Sequence, residues 1–425
     1  IEGGASGIPG GSFKAKTEQK NLPFSYEAVW VTYRGIKLQF ECCSFETQEE
    51  LERVVNNVYR YQAQHVLSRN NPKIIGTMIN GARVTVSRPP FSDSYYFSIR
   101  KFDSAESIRP AALIRDENNV IPITYIKWII KGQRNSLITG AQGTGKTTFL
   151  RSVIRFIAHE FSLRIQEIQS ELNIRYTYPD RNIVGFQETS SVTAQEGLNF
   201  QKKSNGDVNI IGEIAEAIQT SHFIQTSTVA SLFSLGTHHA KTANALVHAL
   251  ANNLLELGMY KDKKDAIEMV ADVVNIDCHL INVKGNRHIE RITEIIPIKE
   301  REYPSSQVNS YANSLKEAAE LKTFLDAPEY MRRVTDPELF TVQDLVKWEP
   351  LEDSEGKQLY DENGFEKGRF ELVHEFSEQM KTEIMSKLTT AEEKEFLRDI
   401  DMCNKVSNGI MTPEVEAWKQ TVLSY

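Results

Sequence analysis

One stretch of eight residues, Gly140-Ala141-Gln142-Gly143-Thr144-Gly145-Lys146-Thr147, limits what this chain can fold into more than any other. It fits GxxxxGK[ST]. It follows the apolar run Ser136–Thr139 and opens a helical pattern, Thr148-Phe149-Leu150-Arg151-Ser152-Val153-Ile154. Such a loop works only between a strand and a helix. Its glycines let successive backbone N–H groups turn inward around phosphate oxygens, and the helix N-terminus adds its positive end. Lys146 is placed to reach the β- and γ-phosphates, and the Thr147 hydroxyl to hold Mg²⁺. Gly140, Ala141, Gln142, Gly143, Thr144, Gly145 and Thr148 complete the cradle. Around it, apolar strands and amphipathic helices alternate to about residue 300, the pattern of a parallel-sheet α/β domain.

The rest of the chain divides around that domain. Residues 1–24 read as a Gly-rich linker, with five Gly and one Pro in residues 2–12. Residues 25–103 read as a small α+β domain. It has a hairpin from Val29, a helix opened by a Thr47/Glu50 capping box, a second hairpin turning at Asn80-Gly81, and a strand at Tyr95–Phe102. Residues 104–122 read as a linker and 123–300 as the phosphate-loop domain. Residues 301–425 read as an acidic, partly helical C-terminal extension. A helix is expected near Leu315–Leu325, a strand at Phe340–Trp348 and a helix start at Thr412-Pro413. That last third carries 15 Lys and Arg against 26 Asp and Glu, a balance of −11; of the chain's −8 this leaves +3 for residues 1–300. So little excess gives no nucleic-acid footprint. On charge alone the chain can be cut near residue 386 without harm to the rest. Four Cys fit neither a disulfide framework nor metal spacing, no apolar run is long enough to span a bilayer, and no signal peptide pattern is visible. The chain opens on Ile1 rather than Met, which implies residues upstream.

Three further segments carry chemistry. Asp207-Val208-Asn209-Ile210-Ile211-Gly212-Glu213 is an apolar strand ending in the carboxylate that Mg²⁺ and an attacking water require. Arg164–Leu172 is a strand running into Glu167 and Glu171. Leu235–Ala243 is a strand ending in His238-His239 before a helix. The order of phosphate loop, acidic strand, Gly-Glu strand and His strand resembles the type II/IV secretion ATPase superfamily, the traffic ATPases of type IV pili, Tad/Flp pili and conjugation. Its four boxes read here as GAQGTGKT, EIQSE, DVNIIGE and THHA. Asn80–Val84 through Arg88-Pro89-Pro90 to Ser98–Phe102 is similar to the amino-terminal domain of the CpaF-like branch. Leu339–Leu345 and Gly368-Arg369-Phe370 resemble that branch's carboxy-terminal strands.

The resemblance implies a RecA-like core that binds ATP and Mg²⁺ in a homo-hexameric ring, cytoplasmic and peripheral at the inner face of the cell membrane. Its partner there is an integral membrane platform or channel subunit. It implies that Glu213 orients the attacking water and, with Thr147, supports the metal. Glu167 and Glu171 complete that shell, and His239 senses the γ-phosphate. Arg83 and Arg100 are the candidate charges that neutralise the transition state. Five positions depart from the family pattern: Ile168 for Asp, Ala215 for Arg, Lys203 for Arg, and Ala230-Ser231 for Gly-His. Two other readings stay open, a nucleotide-gated docking subunit with little hydrolysis and a nucleic-acid translocating motor.

Overall fold

The computed structural model describes residues 2–3, 26, 28–33, 36–40, 43–61, 63, 65–79, 82–101, 109–167, 172–187, 192–283, 285–298, 338–362 and 364–425. The chain divides into two compact units, one built on residues up to 101 and the other on residues from 109. Glu171 and Ile168, the Asn80-Gly81 turn, the expected helix at 315–325 and all of the first linker except Glu2-Gly3 lie outside the described residues.

The first unit is an antiparallel sheet with one helix. Its strands are β1 (Glu2–Gly3), β2 (Val29–Tyr33), β3 (Ile36–Gln39), β4 (Lys73–Thr77), β5 (Arg83–Ser87) and β6 (Tyr96–Arg100), in the order β3-β2-β1-β6-β5-β4. Helix α1 (Gln48–Val58) puts Leu51 and Val55 against Val84, Val86 and Phe97, the alternate residues of β5 and β6. The Thr47 hydroxyl caps it by accepting the Glu50 N–H at 3.2 Å. Only that half of the capping box forms. The Thr47 N–H already donates to the Phe45 carbonyl, and Glu50 turns forward to pair with Arg53.

In the second unit the helices and strands alternate as α2 (Pro110–Leu113), α3 (Val120–Lys131), β7 (Ser136–Thr139), α4 (Lys146–Val153), β8 (Leu163–Glu167), α5 (Ile174–Thr177), β9 (Ile183–Gln187), α6 (Ala194–Lys202), β10 (Val208–Ile211), α7 (Ala217–Gln225), β11 (Phe233–His238), α8 (Ala243–Glu256), α9 (Lys263–Val273) and β12 (Ile276–Val283). They are followed by β13 (Asn286–Pro297), β14 (Phe340–Pro350), β15 (Gly368–Leu372), α10 (Glu378–Met385), α11 (Thr390–Ser407) and α12 (Pro413–Leu423). One sheet runs through all of it, ordered β15-β14-β13-β12-β7-β11-β10-β8-β9. From β12 to β9 the neighbours are parallel; from β12 to β15 they are antiparallel. Period-2 alternation feeds two apolar layers. Ile138 and Ile210 face the layer of α3 and α4, while Leu137 and Ile211 face that of α7, α8 and α9.

The segment from Leu339 onward is not a detachable appendage. Strands β14 and β15 extend the sheet, and α10–α12 contribute Ile384, Phe396, Ile400, Val406, Val415 and Trp418 to the layer that buries α3. The expectation of a harmless cut near residue 386 is therefore wrong, because net charge says nothing about the apolar stripe on the inner side of an acidic helix. The seam is fixed by Asp399, which lies 1% exposed on α11. Its carboxylate accepts from Lys127 Nζ at 2.9 Å and Trp128 Nε1 at 3.0 Å on α3, and from Trp418 Nε1 at 2.9 Å on α12. Burial alone favours the neutral amine of Lys127, but Glu395 and Asp399 hold its pKa above the ordinary lysine value. Replacing Asp399 with Ala leaves Lys127 its Glu395 partner but removes its buried one and leaves the Trp128 and Trp418 N–H groups without an acceptor, so equilibrium denaturation should show a loss of about 2–4 kcal/mol. A loss below about 1 kcal/mol would show that the seam does not depend on this carboxylate.

Candidate active site

In an open parallel sheet the carboxyl ends of the strands form one edge, and ligands bind in the crevice outside it. Register brings the sequence motifs to that edge. Thr139 pairs with His238, and Ile211 pairs with both Gly236 and Gln166. The residues that follow, Gly140, His239, Gly212-Glu213 and Glu167, thus collect together.

Gly140 and Gly145 give the loop its shape. Both have positive φ, 141° and 95°, where side chains other than glycine are strained. A Cβ on Gly140 would also lie 2.2 Å from the Leu280 carbonyl oxygen. Lys146 opens α4 and is 8% exposed. Its ammonium donates to the Gly140 carbonyl at 2.8 Å and the Ala141 carbonyl at 3.0 Å. Burial lowers its pKa, and the Glu213 carboxylate opposes that shift. The Thr144 hydroxyl pins the loop by donating to the Ala141 carbonyl, and Asn282 Nδ2 donates to the Gly143 carbonyl. Gln142 is exposed at the loop's outer side, and Thr147 and Thr148 lie half-buried in the first turn of α4.

His239 joins the loop to the Gly-Glu strand. Its Nε2 lies 2.7 Å from Glu213 Oε1 and must donate to that carboxylate. Its Nδ1 lies 3.2 Å from both the Lys146 ammonium and the Gly140 carbonyl oxygen. Glu213 is presented by its neighbours, since the Thr237 hydroxyl donates to the Gly212 carbonyl at 2.7 Å and the Ile214 N–H to the Thr237 carbonyl at 2.9 Å. Glu167 is buried behind Gly212 and accepts the Leu172 N–H at 2.8 Å. Thr147 and Glu213 offer hard oxygen donors of the kind Mg²⁺ takes. Arg83 and Arg100 belong to the other unit, where they stand directly opposite each other on β5 and β6.

The fit to the type II/IV secretion system protein family covers residues 82–310, more than half of the chain. The chain belongs to that family. Among individual relatives, it is 29% identical over 126 residues to the competence protein ComGA of Halalkalibacterium halodurans, covering 29% of this chain and 33% of that one. It is 23% identical over 190 residues to an uncharacterized protein of Bacillus anthracis, covering 42% and 41%. The chain thus spans about two fifths or less of the length of these curated relatives. Among solved structures, the X-ray structure of the ATPase DotB of Legionella pneumophila aligns with TM-score 0.46 at 15% identity, covering 71% of this chain and 81% of that one. The VirB11 ATPase of the Brucella suis type IV secretion system aligns with TM-score 0.36 at 17% identity, covering 63% and 86%.

Several residues at this family member's site were given no role by the motifs. His238, beside His239, accepts the Ala240 N–H on Nδ1, and burial, reinforced by His239 and Lys146, pulls its pKa down to about 4. Arg287 on β13 runs past Gly145, its Cδ 3.7 Å from where a Cβ there would stand. Its guanidinium has no hydrogen-bond or ion-pair partner among the described residues, and it lines a cavity of about 560 Å³ with Leu113, Asp116 and Lys367. Polar Asp277 and His279, alternating inside the apolar strand Ile276–Val283, were the sequence signal for a further polar layer.

Burial holds His238, His279 and His288 neutral down to about pH 4, against an ordinary value of 6.5. The stability they contribute is complete above about pH 6.5 and is lost as pH falls through about 4. Asp277, pushed up to about 6 by burial, works in the opposite sense as pH rises from about 3.8. Three groups outweigh one, so the urea midpoint should fall between pH 7 and pH 4. His288, stacked on Trp348 with a centroid distance of 4.1 Å, offers the clean control, because His288→Phe should flatten that fall. Equal slopes in the two proteins would refute the assignment.

Proposed function

We propose that this chain is a Mg²⁺-dependent ATP hydrolase that works as a hexameric motor at the cytoplasmic membrane, driving pilus assembly, protein secretion or conjugative transfer. The observation that carries this reading is the chain Lys146–His239–Glu213 at the mouth of a loop whose glycines admit a phosphate. The Lys146 ammonium and the Glu213 carboxylate each lie within hydrogen-bond reach of His239; His239 and Glu213 follow the adjacent strands β11 and β10, and Lys146 opens the helix after the neighbouring β7.

The residues take these roles. Residues 140–148 bind the phosphates through backbone N–H groups and Lys146. Arg287 reaches the same phosphates from the side, and the adjoining cavity receives the ribose and base. Thr147 and Glu213 are the oxygen donors for Mg²⁺, which when bound screens the phosphate charge. Glu213 orients the attacking water, and His239 reports whether Lys146 is engaged with its own carbonyls or with phosphate. Glu167 and Glu171 support that shell. Arg83 and Arg100 are the charges that meet the nucleotide in the assembled ring. The machine is a membrane-embedded platform or channel; no helix among the described residues is long and apolar enough to cross a membrane.

Two measurements test the reading. Lys146→Ala should abolish nucleotide binding, and Glu213→Gln should keep binding while turnover drops by about a hundredfold or more. Hydrolysis by Glu213→Gln at the wild-type rate would remove the role given to that carboxylate. Light scattering with a non-hydrolysable ATP analogue should give a mass about six times that of the chain. A monomer at micromolar concentration with and without nucleotide would contradict the ring.

A further inference from the structure

Beneath the P-loop, the hairpin of β12 and β13 holds a buried polar layer that none of the motifs contains. Thr139, the last residue of β7, is fully buried, and its hydroxyl lies 2.6 Å from Asp277 Oδ1 and 2.7 Å from His279 Nδ1. A hydroxyl has one proton. Donated to the Asp277 carboxylate, it leaves the oxygen to accept from His279, which fixes that imidazole as its Nδ1–H tautomer. His279 Nε2 then faces Glu290 Oε2 at 3.8 Å. Glu290 is ion-paired to Arg291, the residue directly across from His279 on β13. Arg291 NH2 in turn donates to the Lys241 carbonyl at 2.6 Å, two residues beyond His239. The charged groups around the layer are Glu290 and Arg291 on β13, Asp344 on β14 and Lys146 on α4. Asp277 is fully buried, and its Oδ2 has no hydrogen-bond partner among the described residues, a cost that packing alone does not explain.

We propose that Asp277, His279 and Arg291 are positioning residues for the nucleotide site. Asp277 and His279 hold the strand at the point where it becomes the P-loop, and Arg291 holds the turn that follows His239. One rigid hairpin thereby sets the spacing between Lys146 and the His239–Glu213 pair. None of the three touches the nucleotide. The inference rests on the reading of residues 140–148 as the phosphate site, and it assigns to β12–β13 the task of keeping the two halves of that site in register.

Small misplacements of catalytic groups by remote substitutions slow chemistry far more than they weaken binding. In the full chain, Thr139→Val, Asp277→Asn and Arg291→Gln should therefore each lower kcat for ATP by about tenfold or more while the Kd for nucleotide stays within about threefold. Thr139→Ser, which keeps the hydroxyl, should turn over like the wild type. Asp277→Asn combined with Arg291→Gln should be less damaging than the product of the two single effects, because both act through one hairpin. Nitrogen NMR of His279 should show the Nδ1–H tautomer in the wild type and its loss in Thr139→Val. A folded Thr139→Val protein with wild-type kcat would overturn the proposal, and so would strictly multiplicative effects of the pair. If instead Lys146→Ala binds nucleotide as well as the wild type does, the phosphate-site reading itself fails.

Discussion

Helix Val120–Lys131 is apolar on every side, and all of its residues but the last are buried. A helix of that kind cannot lie half-wet on a sheet; it has to be enclosed. The sheet covers one side through Ile138, Ile165 and Ile292, and the C-terminal helices cover the other through Phe396, Cys403 and Val415. Enclosure then meets an obstacle, since Lys127 lies on the buried side of the same helix. The Asp399 carboxylate answers it, while also satisfying the two indole N–H groups that close the seam. Apart from Asp399, the acidic character of the C-terminal helices is thus largely an outer property. Their inner face is as apolar as the sheet they help to cover.

With both faces of the sheet occupied, chemistry is confined to the strand ends. The parallel strands β7, β11, β10 and β8 deliver Gly140, His239, Glu213 and Glu167 to one edge. The glycines there are required by approach as well as by φ, for a methyl group on Gly140 would collide with the backbone of β12. Strand β12 is the only neighbour that β7 has on that side, and it runs on into an antiparallel hairpin. The phosphate loop is therefore braced by a hairpin on one flank and by the His strand on the other.

Most of this arrangement is legible in the sequence because it rests on local rules. The phosphate loop demands strand, turn and helix in fixed order, and β7 and α4 stand where that order puts them. The strands leading into Glu167, Glu213 and His239 are visible as apolar runs with a polar terminus, and the Thr412 cap as a hydroxyl before Pro413. What stayed hidden depends on pairing across long separations. Nothing local marks Asp399 as the partner of Lys127, 272 residues earlier in the chain, or Arg291 as the anchor of Lys241. The capping box at Thr47 shows a subtler limit. A motif states which bonds are available, but Arg53 and Phe45 compete for the same atoms and take half of them.

The contacts of Lys146 bear on what the loop will accept. Its ammonium is already solvated by two carbonyls of its own loop and by an imidazole nitrogen, so arrival of an anion is an exchange of partners rather than a first encounter. A lone small anion supplies few oxygens and gains little over the carbonyls it displaces. A chain of phosphates engages the ammonium and the inward N–H groups of the loop at once, and the exchange then favours the ligand. On the proposed reading of the loop, that substitution step would favour a polyphosphate over a single phosphate.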